Sequence, residues 1–290
     1  MSILFTIANF FDARGGSRHA SLSPDPRPRI QALTACLTAL HQLFGKSRYV
    51  LDIAHRVALP LGQPPRREIK VVICTTKGHH FLAQLALPSH FYTHHPTNAE
   101  PMLLGFECQT VLKDCLGKYD YYCYLEDDLI LHDPWFFVKL AWFTQMTGYR
   151  NLLQPNRYEA AQSRLARKVY IDGTLAAQVT APFQNIQDQP ELTGRVMKIP
   201  VVFRRALNPH SGCYFLNAKQ MAYWAQQPFF LDRDTSFIGP LESAATLGIM
   251  RAFRVYKPAL QNVGFLEIQH FGTGFLNVAN GKIQPGGRKS

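Results

Sequence analysis

Apolar runs and stretches with helical spacing alternate through the first half of the chain. ILFTIANFF, residues 3–11, is a continuous apolar run of the kind that forms a buried strand. Residues 12–29 are rich in Gly, Ser and Pro and predict a loop. IQALTACLTALHQLFG (30–45) has helical spacing and ends at a glycine suited to cap a helix. LGQPPRRE (61–68) breaks the pattern, IKVVICTT (69–76) predicts a second buried strand, and HFYTHHP (90–96) a short third one. LLGFECQTVLKDCLG (103–117) reads as a helix and DYYCYLE (120–126) as a strand that ends in three consecutive carboxylates, Glu126, Asp127 and Asp128. Strand and helix in alternation predict an α/β domain with a mostly parallel central sheet and helices on both faces.

The second half is patterned differently. Residues 157–168 predict a helix, VYIDGTLAAQVT (169–180) a hairpin around Asp172 and Gly173, and RVMKIPVVFRR and CYFLN strands. AKQMAYWAQQ and residues 239–253 read as helices, the second begun by Pro240, and residues 281–290 form a polar tail. No internal repeat and no long linker divides the chain.

Composition narrows the class. The 290 residues are 47% hydrophobic and 18% charged, enough for a sizeable core, and no apolar run is long enough to span a bilayer. The first residues lack the basic lead and cleavage site of a signal peptide. Six scattered cysteines form no CxxC pair, which argues against a zinc ribbon or a redox motif and predicts a reducing, cytoplasmic setting. The net charge of +11 is uneven: 15 basic against 12 acidic side chains in residues 1–150, and 16 against 8 thereafter. A basic second half suggests an anionic partner, such as a nucleotide, a phosphorylated acceptor, nucleic acid or anionic lipid at a membrane periphery; for charge alone, a soluble basic surface accounts for it equally well.

The acidic triplet is the sharpest feature in this setting. Three adjacent like charges repel and gain nothing from a core. In open α/β sheets, ligands bind beyond the carboxyl ends of strands, where these residues stand. Oxygen ligands suit Mg²⁺ or Mn²⁺, which bind through one or two carboxylates and complete their shell with substrate phosphates. The bland alternative is a solvated acidic turn.

YDYYCYLEDDLIL resembles the DXD region of glycosyltransferases of the GT-A fold. The resemblance implies that Asp128 binds a divalent metal, Mn²⁺ or Mg²⁺, that bridges a diphosphate, that Asp127 assists the metal or the donor sugar, and that Glu126 lies near the ribose. It further implies a nucleotide-sugar-binding half over residues 1–128 and an acceptor half over 129–280 of the same domain. NPHSGCYFLN (208–217) is similar to the stretch that lines the acceptor site in such enzymes. Glu242, at a helix start, stands where many inverting members carry a catalytic base, and His270 where many carry a further metal ligand. In the loop after the first strand, Asn9, Arg14 and Arg18 stand where a nucleotide would meet the sheet, with Gly15 and Gly16 allowing close backbone approach, and Thr75 follows the second strand in the same way.

The function expected on these grounds is metal-dependent transfer of a sugar from a nucleotide diphosphate sugar to a hydroxyl acceptor, inverting if Glu242 is the base. A nucleotidyltransferase would share the α/β half and the carboxylates, but the Gly-rich signature near its N-terminus has only a poor counterpart in RGGSR. A non-catalytic nucleic-acid-binding module would show RNP motifs, basic helices with interleaved aromatics or zinc knuckles, and the sequence has none.

Overall fold

The structure, a computed structural model, describes residues 1–14, 20–46, 48–61, 68–160 and 168–278. The strands are β1 (Ser2–Ala8), β2 (Tyr49–Asp52), β3 (Val57–Pro60), β4 (Glu68–Thr76), β5 (Thr93–Thr97), β6 (Tyr121–Glu126), β7 (Leu129–Ile130) and β8 (Asn151–Leu153). They continue with β9 (Asn156–Ala160), β10 (Lys168–Tyr170), β11 (Glu191–Val196), β12 (Ile199–Arg205), β13 (Cys213–Asn217), β14 (Arg254–Pro258) and β15 (Glu267–His270). The helices are α1 (Arg27–Phe44), α2 (Leu104–Asp114), α3 (Phe136–Thr147), α4 (Ala177–Thr180), α5 (Ala218–Ala225), α6 (Pro240–Ala252) and α7 (Gly274–Val278).

The central sheet has the order β13-β6-β1-β4-β5. β6, β1, β4 and β5 run parallel, and β13 is antiparallel to β6. Because strand side chains alternate between faces, β1 feeds two cores. Ile3, Phe5 and Ile7 pack with Leu33, Leu37 and Phe44 of α1 and Phe137 and Phe143 of α3. Leu4, on the other face, joins Leu104, Cys108 and Leu112 of α2 and Leu247 and Met250 of α6. Burial on both faces is why these strands read as unbroken apolar runs. The expected α/β class, with a parallel central sheet covered on both faces, is what the chain adopts.

Two smaller sheets lie in the second half, ordered β10-β9-β15-β7 and β11-β12-β14-β8. Two expectations fail there. Residues 157–160 belong to strand β9, not to a helix, and β9 pairs with β10; residues 161–167 lie outside the described residues. Arg157 and Glu159 are needed inside, so the segment is held as a buried strand whatever its helical propensity. Asp172 and Gly173 form no hairpin turn: β10 is followed by the short helix α4, and the Asp172 carboxylate is buried against Arg157 and Lys257. All six cysteines are free thiols. Among the described residues no helix is long and apolar enough to cross a membrane.

Candidate active site

The carboxyl ends of β1 and β6 lie side by side, with Ala8 opposite Glu126. Asn9, the next residue after β1, is fully buried and donates from Nδ2 to Asp127 Oδ2 at 2.6 Å. β13 lies on the other side of β6, and Glu126 N donates to Gly212 O at 2.9 Å. Gly212 adopts φ +61°, and a Cβ there would run into the Glu126 carboxylate, so only glycine lets this loop pass.

The positive partner that the triplet requires is present. The Arg29 guanidinium, in the first turn of α1, contacts Asp127 Oδ1 and reaches Asp128 Oδ2 at 2.8 Å. Arg157 lies 3.5 Å from Glu126 and 2.8 Å from Asp172, and Lys257 Nζ lies 2.7 Å from Asp172. His270 comes from the far end of the chain because β15 pairs with β7, opposing His270 to Leu129, and Phe271 N donates to Asp128 O at 2.8 Å. Its Nδ1 is 3.0 Å from Oε1 of the fully buried Glu159, which also accepts from Phe275 N and Leu276 N. With Nδ1 held by this carboxylate, Nε2 is the ring nitrogen that faces Asp128 Oδ2, 3.5 Å away.

The electrostatics separate the three carboxyls. Burial pushes Glu126 up to about 7, against the pull of Arg157 and with help from Asp128, Asp127 and Glu242. Burial raises Asp127 too, with Arg29 opposing it and Asp128 adding to it. Asp128 is lowered: burial opposes the shift, but Arg29 and His270 outweigh it. Glu126 is the most accessible of the three, its side chain 28% exposed against 4% and 16% for Asp127 and Asp128, so it is the one a ligand meets first. Buried His210, 4.0 Å from Glu126 and hydrogen-bonded to Thr246 of α6, is held neutral by burial and by Arg157.

These residues suit a divalent cation in three respects. Asp128 Oδ1 and Asn9 Oδ1 are buried with no hydrogen-bond partner. His270 turns Nε2 towards Asp128 while a carboxylate holds its Nδ1, an arrangement common behind metal-ligating histidines. Five carboxyl groups, Glu126, Asp127, Asp128, Glu159 and Asp172, gather here with the basic side chains Arg29, Arg157, Lys257 and His270, so acids outnumber bases in the cluster. No group of three or more His, Cys, Asp or Glu among the described residues is arranged to hold a metal by itself. A site of Asp127, Asp128 and His270 would need Arg29 to give way and phosphate oxygens to complete it.

No family model matches the chain, and no curated protein matches it in sequence. Among solved structures it is similar to CMP:2-keto-3-deoxy-manno-octonic acid synthetase complexed with CTP. The identity is 15%, the TM-score 0.37, and the match covers 89% of this chain and 90% of that one. So loose a likeness assigns neither activity nor substrate.

The other expected residues fall at different distances from the triplet. Glu242, in the first turn of α6, is close enough for its charge to raise Glu126. Thr75, the penultimate residue of β4, lies two strands or roughly 10 Å from β6. Its hydroxyl is engaged by His94 Nε2 at 2.7 Å, so it touches no member of the triplet directly. Arg14 is 86% exposed and turned towards Asp12. Gly15, Gly16 and Arg18 lie outside the described residues. Arg29, Arg157, Glu159, Asp172 and Lys257 escape a reading of the sequence. Only Arg29 leaves a signal there: a cation in the first turn of a helix opposes the helix dipole, and a broken local rule marks a site with another purpose.

Proposed function

We propose that the chain is a metal-dependent transferase of nucleotide-linked sugars that moves a sugar from a nucleotide diphosphate donor to a hydroxyl acceptor. The observation that supports this reading is the cluster of Glu126, Asp127 and Asp128 beyond the carboxyl end of a central parallel strand, faced by Asn9 and His270, with Glu242 near enough for its charge to act on Glu126. Asp127, Asp128 and His270 would hold Mn²⁺ or Mg²⁺, and the ion would supply positive charge against the leaving diphosphate. Asn9 fixes the Asp127 carboxylate. Glu126, the exposed member, meets the ribose, and Arg14 and Thr75 serve as outer donor contacts. In an inverting transfer Glu242 takes the acceptor proton while the acceptor oxygen bonds to the anomeric carbon and the diphosphate leaves.

Nucleotidyl transfer is the second reading, since carboxylates beyond a parallel sheet would serve equally to hold the cation that a nucleoside triphosphate brings. There a sugar acid or sugar phosphate attacks the α-phosphate of a nucleoside triphosphate and pyrophosphate leaves. One experiment separates the two. The protein is incubated with Mn²⁺ and either a panel of nucleotide sugars with glycan acceptors, or nucleoside triphosphates with sugar phosphates and sugar acids. Release of a nucleoside diphosphate from a nucleotide sugar supports the proposal. Pyrophosphate release from a triphosphate with formation of a nucleotide sugar supports the alternative and overturns glycosyl transfer.

A further inference from the structure

The hairpin of β2 and β3 stands apart from the core. Among the described residues its two strands pair only with each other, from Tyr49 opposite Pro60 to Asp52 opposite Val57. Both of its faces are apolar and exposed. Val50 and Leu59 share one face, Tyr49 and Leu51 the other, and Ile53 in the turn is 79% exposed. A lone two-stranded ribbon is marginal in water, and among the described residues nothing covers the apolar side chains on either of its faces.

Basic side chains flank this apolar ribbon. Lys46, 3.8 Å from Glu68 of β4, and Arg48 stand at its root, with Arg48 donating to Leu43 O at the end of α1, and Arg56 stands in its turn. The one acid of the hairpin, Asp52, is occupied by the backbone and ring of His55. The chain as a whole carries a net charge of +11. We infer that the β2–β3 hairpin is a wedge that inserts into the surface of an anionic phospholipid bilayer, its apolar residues below the headgroups and its basic side chains among the phosphates. A protein groove would cover one face of the ribbon, whereas lipid surrounds both. A symmetric contact with a second copy of this chain brings the patch against itself and sets the same cations face to face.

The placement in the fold has a consequence. The hairpin precedes β4 and leaves the sheet near Glu68, while the carboxylates lie beyond the opposite ends of the parallel strands. β4 alone separates the two ends by roughly 26 Å at ~3.3 Å per residue, so the anchored protein holds its pocket away from the bilayer.

The test is co-sedimentation with vesicles of phosphatidylcholine alone and of phosphatidylcholine mixed with phosphatidylglycerol. Wild type pellets with the anionic vesicles, and salt weakens the binding. The double variant Leu51→Asp/Ile53→Asp binds at least tenfold more weakly, as expected for losing two buried aliphatic side chains. Arg48→Ala and Arg56→Ala each weaken binding by about fivefold, the weight of one basic side chain at an anionic surface. Should the aspartate variant fail to fold, Ile53→Trp keeps the question open to measurement, because its added indole emission shifts to the blue on anionic vesicles only if the tip inserts. Equal pelleting of wild type and a folded aspartate variant, absence of binding to any vesicle, or an unshifted indole emission from the Ile53→Trp variant overturns the inference. So does a stable dimer in solution that the aspartate variant abolishes, which would give the hairpin to a second copy.

Discussion

Replacing Arg29 by Met isolates the electrostatic problem at the centre of the pocket. The methionine keeps most of the side-chain volume and removes the cation that lies between Asp127 and Asp128. Both carboxylates are largely buried, at 4% and 16% side-chain exposure, so water does little to screen their repulsion. Removing one partner of a buried ion pair costs about 3–5 kcal/mol. A chain of 290 residues unfolds with an entropy of roughly 0.6 kcal/mol per kelvin, so the loss corresponds to a fall in Tm of about 5–8 °C. The assay is thermal unfolding at neutral pH with and without Mn²⁺. Metal should restore most of the loss and should raise Tm more in the variant than in wild type, where the ion competes with the guanidinium. A variant as stable as wild type would refute the view that these carboxylates demand a cation. An identical Mn²⁺ shift in both proteins would refute the view that ion and guanidinium share one place.

Other perturbations probe separate parts of the account. Gly212→Ala should displace the Glu126 carboxylate and weaken donor binding, because the added Cβ meets that group at a left-handed φ of +61°; donor titration of the folded variant checks this. Glu242→Gln should leave donor binding near wild type and lower kcat by ~10² or more, the usual contribution of a general base, and steady-state kinetics would show a base elsewhere if kcat holds. Asp172, lowered to about 2 because Lys257 and Arg157 outweigh its burial, should stabilise the fold fully above its unfolded value near 4 and lose that stability as pH falls through 2. The loss is roughly 2 kcal/mol by denaturant titration, and a flat profile across this window would show that Asp172 is not held as an ion.

The sequence exposes what repeats locally and hides what is assembled at a distance. The parallel strands are legible because burial on both faces writes them as unbroken apolar runs, β1 and β4 above all. The triplet is legible because three like charges at a strand end serve no core. The segment 157–160 misleads because it runs on into a helix-forming composition, while what holds it as a strand is the burial of Arg157 and Glu159 against Asp172 and His270, partners that nothing local reveals. Asp172 resembles a turn residue beside Gly173, and nothing local shows that Arg157 and Lys257 converge on it. His270 is suggested by family resemblance alone, and the pairing of β15 with β7 is what carries it to Asp128. The β2–β3 hairpin goes unread because its strands lack the one-sided alternation that marks a half-buried ribbon.

The central claim is that the carboxylate cluster binds a nucleoside diphosphate through a divalent cation. Isothermal titration of nucleoside diphosphates into wild type and Asp128→Asn, each with and without Mn²⁺, tests it most directly. The account predicts that Mn²⁺ tightens binding by wild type and leaves the variant unchanged. Equal enhancement by Mn²⁺ in both proteins would contradict it.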